Sequence, residues 1–167
     1  MSLREILHWP DPRLAEICDA VPEIGAHIAA LVADMFETMY DANGRGLAAP
    51  QVGELVRVFV MDAGWKEGTK TPIAMINPQI LTSSDDSVEI EEGCLSIPDF
   101  PLTVRRPARV KMLWQDLQGA PHQAWLDGAE ARIAQHEHAH LLGRVIFDEF
   151  APEEAGRLQA RYLERRT

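Results

Sequence analysis

Five consecutive residues, His136-Glu137-His138-Ala139-His140, carry the densest chemistry in the sequence. His136 and His140 are four apart. On a helix they lie about 40° apart around the axis and one turn apart along it, so both imidazoles can reach one ion. Glu137 stands beside the first of them and can reach a metal-bound water. This is the H-E-x-x-H arrangement of metal hydrolases: the ion lowers the pKa of water and the carboxylate carries the proton to the leaving group. His138 lies about 200° around from His136 and faces away from such a site. It reads as a surface or packing histidine.

Two histidines leave a catalytic ion short of a third protein ligand. Cys94, in Glu91-Glu92-Gly93-Cys94-Leu95-Ser96, is a candidate. Taken alone, it is as readily a small buried hydrophobe. Gly93 before it and Pro98 after it mark an irregular segment that could present a thiolate. One Cys and two His can bind zinc or ferrous iron and leave a position for water. A third element is Gly44-Arg45-Gly46-Leu47-Ala48-Ala49-Pro50-Gln51. Its glycines let backbone approach a ligand closely. The competing reading is a tight helix-to-strand turn followed by small core residues. It is no phosphate loop, because the Gly-Lys-Ser/Thr ending is absent. Gln51 can donate a hydrogen bond to an oxyanion.

Elements must hold these residues together. Asp127 as N-cap and Glu130 three residues on suggest a capping box opening a helix that runs to about Leu142, with Gly143 as its stop. An earlier helix is predicted from about Pro22 to Tyr40, with Ile28, Leu31, Val32, Met35, Phe36 and Met39 on one face. Strands are predicted at Val56–Asp62, at Ile73–Ile76 (ended by Asn77-Pro78), at Val110–Trp114, and at His122–Leu126 after a turn at Leu117-Gln118-Gly119. A last helix starts near Pro152, with Glu153 and Glu154 in its first turn. Ala155, Leu158 and Tyr162 are spaced to pack inward, leaving Arg157, Arg161, Arg165 and Arg166 in solvent. The order points to an α+β domain.

With 167 residues, one domain over 1–167 is expected. The net charge of −10 argues against a diffuse nucleic-acid surface. No apolar run approaches the roughly 18 residues of a membrane span, and residues 1–5 lack the features of a secretory signal, so a cytoplasmic protein is expected. Cys18 and Cys94 are too few for a disulfide scaffold.

Gly44 to Gln51, Glu92 to Ser96 and Gln135 to His140 occur in the order G-x-G-L-A-A-x-Q, E-G-C-L-S and Q-H-E-x-x-H. Together they resemble the signature motifs of the peptide deformylase family. Residues 6–14, Asp34–Tyr40 and Ile76-Asn77-Pro78 resemble its flanking segments. The resemblance implies a fold of mixed and antiparallel strands around a central helix that carries the two histidines, with N- and C-terminal helices. It implies metal-dependent removal of the formyl group from the N-terminal methionine of nascent polypeptides. Cys94, His136 and His140 would hold the metal, ferrous iron (Fe2+) in the bacterial family or zinc, nickel or cobalt in its place. Glu137 would be the general acid/base, and Gln51 with the backbone N–H of Leu95 would stabilise the oxyanion. Gly44, Arg45, Gly46 and Gly93 would line the peptide groove, and the basic C-terminal helix could dock on the ribosome. Ala139 stands where the family usually has Asp, and Ala129–Ala134 is more polar than its counterpart. An absent carboxylate at 139 would leave Arg106 to pair elsewhere. It also motivates a rival expectation, a hydrolase of another N-acyl substrate. A second rival is a non-catalytic nascent-chain or ribosome-binding relative, and a third is a general zinc endopeptidase, against which the cysteine and the G-L-A-A-P-Q segment argue.

Overall fold

The computed structural model describes residues 2–166. Helix α1 spans Ala26–Asp41, and Ile28, Leu31, Val32, Met35 and Met39 form its buried stripe. It starts later than Pro22 because Gly25, in extended backbone, caps it. Glycine is costly inside a helix but acceptable at its N-cap. Asn43 in the left-handed region, φ 60°, then turns the chain out of the helix.

Seven strands follow: β1 Gly46–Ala48, β2 Val58–Asp62, β3 Pro72–Ser83, β4 Ser87–Cys94, β5 Ile97–Pro107, β6 Val110–Gln115 and β7 Pro121–Leu126. Five of them make one antiparallel sheet in the order β1-β2-β3-β6-β7, while β4 and β5 form a separate hairpin. The ladders are antiparallel, and a lone parallel bridge joins Asp19 to Val56. Helix α2 spans Gly128–Leu141 and helix α3 spans Pro152–Arg166.

Strand β2 is buried along its whole length. Phe59 and Met61 share a core cluster with Ala131, Ala134 and Leu141 of α2. Val58 and Val60 share another with Ile28, Leu31, Val32, Met35 and Met39 of α1. The alternation of side chains along a strand thus puts one helix on each face of the sheet. Strand β6 buries Val110, Met112 and Trp114 in alternation, as its sequence predicts. A third cluster joins Ile97 and Phe100 of the hairpin to Phe147, Leu158 and Tyr162. Among the described residues no helix is long and apolar enough to cross a membrane.

Three local expectations are corrected. Asn77-Pro78 does not end its strand: Asn77 takes φ 52° and the ladder shifts register between Ile76 and Gln79, after which β3 continues to Ser83. Pro78 lacks an N–H and is tolerated at such an irregularity. Asp127 is the N-cap of α2, but its side chain makes no capping bond. Gly128, with φ 52°, separates it from the first regular turn. The segment around Cys94 is the end of a β-hairpin, with Cys94 paired to Ile97.

Candidate active site

Cys94, at the end of β4, meets His136 and His140 on α2. One ligand-type atom from each lies within 4.8 Å of the others, and all three residues are buried. Cys94 Sγ is 3.6 Å from His140 Nε2. His136 Nδ1 lies 2.9 Å from Glu92 Oε1, which leaves its Nε2 free for a ligand on the other side of the ring. An imidazole held this way by a carboxylate is the usual support of a metal-bound histidine. The Nδ1 atom of His140 and the Oε1 atom of Glu137 are buried without a hydrogen-bond partner in the protein.

Charges in this pocket are strongly coupled. Burial alone would lower the His136 pKa, but Glu137 and the Cys94 thiol outweigh it and raise the value well above the usual range. Burial, reinforced by His136 and Arg106, holds His140 neutral. Burial pushes Glu137 up to about 7, against the opposing pull of His136. Binding a cation would displace the proton on His136, as ligation of histidine generally does. A thiol and two imidazoles form a donor set that fits one divalent ion, with the unpaired Glu137 carboxylate oxygen beside them.

Backbone geometry brings the Gly44–Gln51 segment to the same place. A Cβ on Gly46 would sit 2.5 Å from Glu137 Oε2 and 2.8 Å from Ile133 Cγ2. Only glycine lets β1 pass this close to the carboxylate. A Cβ on Gly44 would press on the Leu95 side chain at 2.7 Å. Gln51 is buried, its Oε1 accepting from Ala48 N at 2.9 Å and its Nε2 donating to Ser96 Oγ at 3.0 Å. Nε2 also lies 3.9 Å from Cys94 Sγ. The N-terminal segment braces both loops: Leu7 N donates to Gln51 O and Trp9 N to Ser96 O.

These groups line a cleft of about 700 Å³. Gly44, Arg45, Gly46, Gln51, Gly93, Cys94, Leu95, His136 and Glu137 all face it, with Ile90, Phe100 and Ile133 adding apolar wall. A Cβ on Gly93 would meet nothing within 4 Å, so Gly93 borders open space. Arg45 leans out to Glu67 at 2.8 Å. His138 is half-buried. Its pKa is lowered by burial and by nearby Arg57, away from the cleft.

In the wall of the cleft lies a buried network, centred on Glu92 and Arg132, that the sequence reading did not assign. Glu92 accepts from Arg106 Nε at 2.6 Å and Nη2 at 3.0 Å, from Arg132 Nη1 at 2.7 Å, and contacts His136. Burial disfavours its charge, but His136 and Arg106 outweigh this and hold the carboxyl well below its usual range. The expectation about Arg106 and Ala139 is overturned: Arg106 has Glu92 as a bidentate partner and Glu149 at 3.6 Å. Its pairing needs no carboxylate at 139, and nothing in the structure explains the alanine there. The polarity of Ala129–Ala134 does have a reason, since Arg132 turns inward. One signal was available: Arg132 is four residues before His136, on the same stripe of α2.

The sequence profile described as polypeptide deformylase matches residues 3–155. The peptide deformylase of Afipia carboxidovorans is 46% identical over 148 residues, covering 89% of this chain and 86% of that protein. That of Rhodopseudomonas palustris strain BisB5 is 47% identical over 150 residues, covering 89% and 86%. Among solved structures, peptide deformylase from Ehrlichia chaffeensis in complex with actinonin superposes with a TM-score of 0.91 at 34% identity, covering 99% of this chain and 98% of that one. The Legionella pneumophila enzyme gives 0.89 at 36% identity, covering 98% and 95%. By its sequence and its fold alike, the chain belongs to the polypeptide deformylase family.

Proposed function

We propose that this protein removes the formyl group from the N-terminal methionine of nascent polypeptides, with one divalent ion held by Cys94, His136 and His140. The observation that carries the reading is the buried Cys-His-His cluster, whose Cys94 and His136 face a cleft beside Glu137, a residue whose Oε1 has no hydrogen-bond partner among the described residues. The family match supports the substrate class. A bound ion would lower the pKa of water and polarise the formyl oxygen.

The chain's own groups then divide the work. Glu137, whose burial raises its pKa to about 7 in the metal-free protein, stands beside the ligands where it can take a proton from water and return it. It passes that proton to the departing nitrogen as the C–N bond breaks, and the products are formate and a free N-terminus. Gln51 is fixed through both ends of its amide. A side-chain amide has two N–H donors; one goes to Ser96 Oγ and the other makes only the long 3.9 Å contact with Cys94 Sγ, from which it is proposed to turn to the developing oxyanion. The N–H of Leu95, between Cys94 and Ser96, is the second proposed donor. Gly44, Arg45, Gly46 and Gly93 border the groove for the peptide.

Ferrous iron is proposed as the native metal, and one catalytic domain over 1–167 as the unit in a cytoplasmic setting. Formate release from a formyl-Met peptide, by protein loaded anaerobically with Fe2+, tests the function. Hydrolysis of other N-acyl peptides without formate release, or peptide binding without metal, would overturn it. The exposed arginines of α3 are the proposed ribosome contact. Arg166 already reaches Trp9 O at 3.0 Å, and Arg161 and Arg165 lie over Phe100. Because Leu158 and Tyr162 are buried in the core, charge reversal of Arg157, Arg161 and Arg165 is the suitable probe. Salt-sensitive co-sedimentation with ribosomes should fall while hydrolysis of a small peptide is unchanged.

A further inference from the structure

The proposed ligands come from two parts of the chain that share no ladder. Cys94 belongs to the β4–β5 hairpin, which is separate from the five-stranded sheet. His136 and His140 belong to α2, which packs on that sheet. Their separation therefore depends on how firmly the hairpin is fastened to the helix. Apolar packing at its tip holds the hairpin to the chain beyond α2, where Ile97 and Phe100 meet Phe147 and Tyr162, not to α2 itself. Farther from the tip, the carbonyls of Val88 and Val104 lie beside α2.

Arg132 occupies that place. It is 8% exposed. Its Nη1 donates to Glu92 Oε2 at 2.7 Å and to Val104 O at 2.8 Å, and its Nη2 to Val88 O at 2.8 Å. Val88 and Glu92 are on β4, and Val104 is on β5. One side chain, a single turn before His136, thus ties the helix to both strands of the hairpin. A buried guanidinium is unfavourable unless its donors are satisfied, and here carboxylate and carbonyls take them.

Charge balance alone does not explain it. Arg106 already neutralises Glu92 through two bonds, and His136 adds a third contact. What Arg132 adds is direction. Its fork of donors reaches acceptors on two strands at once, which a lysine ammonium on a flexible stem cannot reproduce. We infer that Arg132 is a positioning residue for the metal site, fixing the hairpin that bears Cys94 against the helix that bears His136 and His140. The inference rests on reading those three residues as the ligand set.

The test uses the full chain loaded with Co2+. The thiolate-to-cobalt charge-transfer band reports on Cys94, and competition with a chelator gives the affinity. R132M should fold, bind Co2+ about 10–100-fold more weakly, as loss of support behind a ligand typically does, and show a weakened or shifted band. R132K should fall between R132M and wild type. Ile28→Ala, in the core of α1 far from the cleft, should lower Tm while keeping the affinity and the band. Wild-type affinity and spectrum in R132M would overturn the inference. So would an equal loss in Ile28→Ala at an equal fall in Tm. If R132M does not fold, R132K decides, and wild-type values there overturn it. A wild type without any Cys94-dependent band would sink the ligand reading itself and this inference with it.

Discussion

Helix α2 is fastened differently on its two sides. Toward the sheet it presents Ala131, Ala134 and Leu141 to Phe59, Met61, Met112 and Leu126. Toward the hairpin it presents Arg132 and His136 to Glu92, Val88 O and Val104 O. The first contact is apolar. It is non-directional and tolerates replacement by side chains of similar volume. The second is made of directed bonds in a buried setting, where each acceptor removed leaves a costly orphan. The helix is free to be generic where it only needs support, and exacting where it must hold a ligand at a fixed distance from a cysteine on another element.

The largest effect should fall between the two sides, at Glu137. Glu137→Gln keeps the shape of the side chain and leaves the three proposed ligands in place. Turnover on a formyl-Met peptide should drop about 10²–10⁴-fold, the usual contribution of a positioned acid or base, with metal content unchanged by elemental analysis. Activity within a few-fold of wild type would remove Glu137 from the mechanism. Gly46→Ala reaches the same group from the sheet side, since its Cβ would lie 2.5 Å from Glu137 Oε2. It should lower turnover through displacement of the carboxylate, by less than Glu137→Gln does, and a metal-replete enzyme of wild-type rate would show that this close approach is incidental.

A pair of volume-conserving swaps measures the contrast directly. Glu92→Gln removes the charge shared by Arg106, Arg132 and His136 and places a donor among donors. Breaking a buried pair in this way costs about 3–5 kcal/mol, and chelator resistance should fall with it. Met112→Leu, on the apolar side, should cost under about 1.5 kcal/mol and leave metal binding alone. Both are read by chemical denaturation of metal-free protein and by chelator competition. Equal costs in the two variants would abolish the distinction between the two sides.

The same contrast decides what could be read from the sequence. The apolar elements were legible. The stripe of α1, the alternation in β6 and the inward residues of α3 follow from periodicity. The two histidines were legible too, four apart on one helix, whereas Cys94 was an open alternative until three motifs in order brought it in by resemblance. The hairpin was not legible. Val88 and Ile90 of β4 are exposed while Glu92 is buried, and Arg106 shares the buried face of β5 with Val104. Charged residues default to solvent, so a buried face built on Glu92, Arg106 and Arg132 breaks the pattern that marks a strand. Asn77 hid differently: its left-handed backbone and its bonds to Val21 and Gln115 turn an apparent strand end into a bulge.

A second buried carboxylate sharpens the point with a smaller effect. Asp62, at the end of β2, is satisfied by uncharged donors: the Tyr40 hydroxyl, Thr71 N and Gly64 N. Burial works against its charge, yet these bonds outweigh it and lower its pKa from the ordinary 3.8. Burial and Asp62 together push the Tyr40 hydroxyl up to about 12. Among the described residues no ion pair is made by this carboxylate, so losing one donor should matter less than it does around Glu92. Tyr40→Phe should cost about 1.5–3 kcal/mol at neutral pH, the range for a hydrogen bond to a charged group, and leave the metal site untouched. The sign of its pH dependence follows from the lowered pKa. Stability drawn from ionised Asp62 is fully present above the unfolded value, about 3.9, and is lost as pH falls through the lower folded value. The gap between wild type and Tyr40→Phe should therefore narrow from pH 6 to pH 3, both measured metal-free by denaturant titration. A gap of constant size would mean that the hydroxyl packs against Asp62 without favouring its charge, and that the neutral-donor carboxylate is held by Thr71 and Gly64 alone.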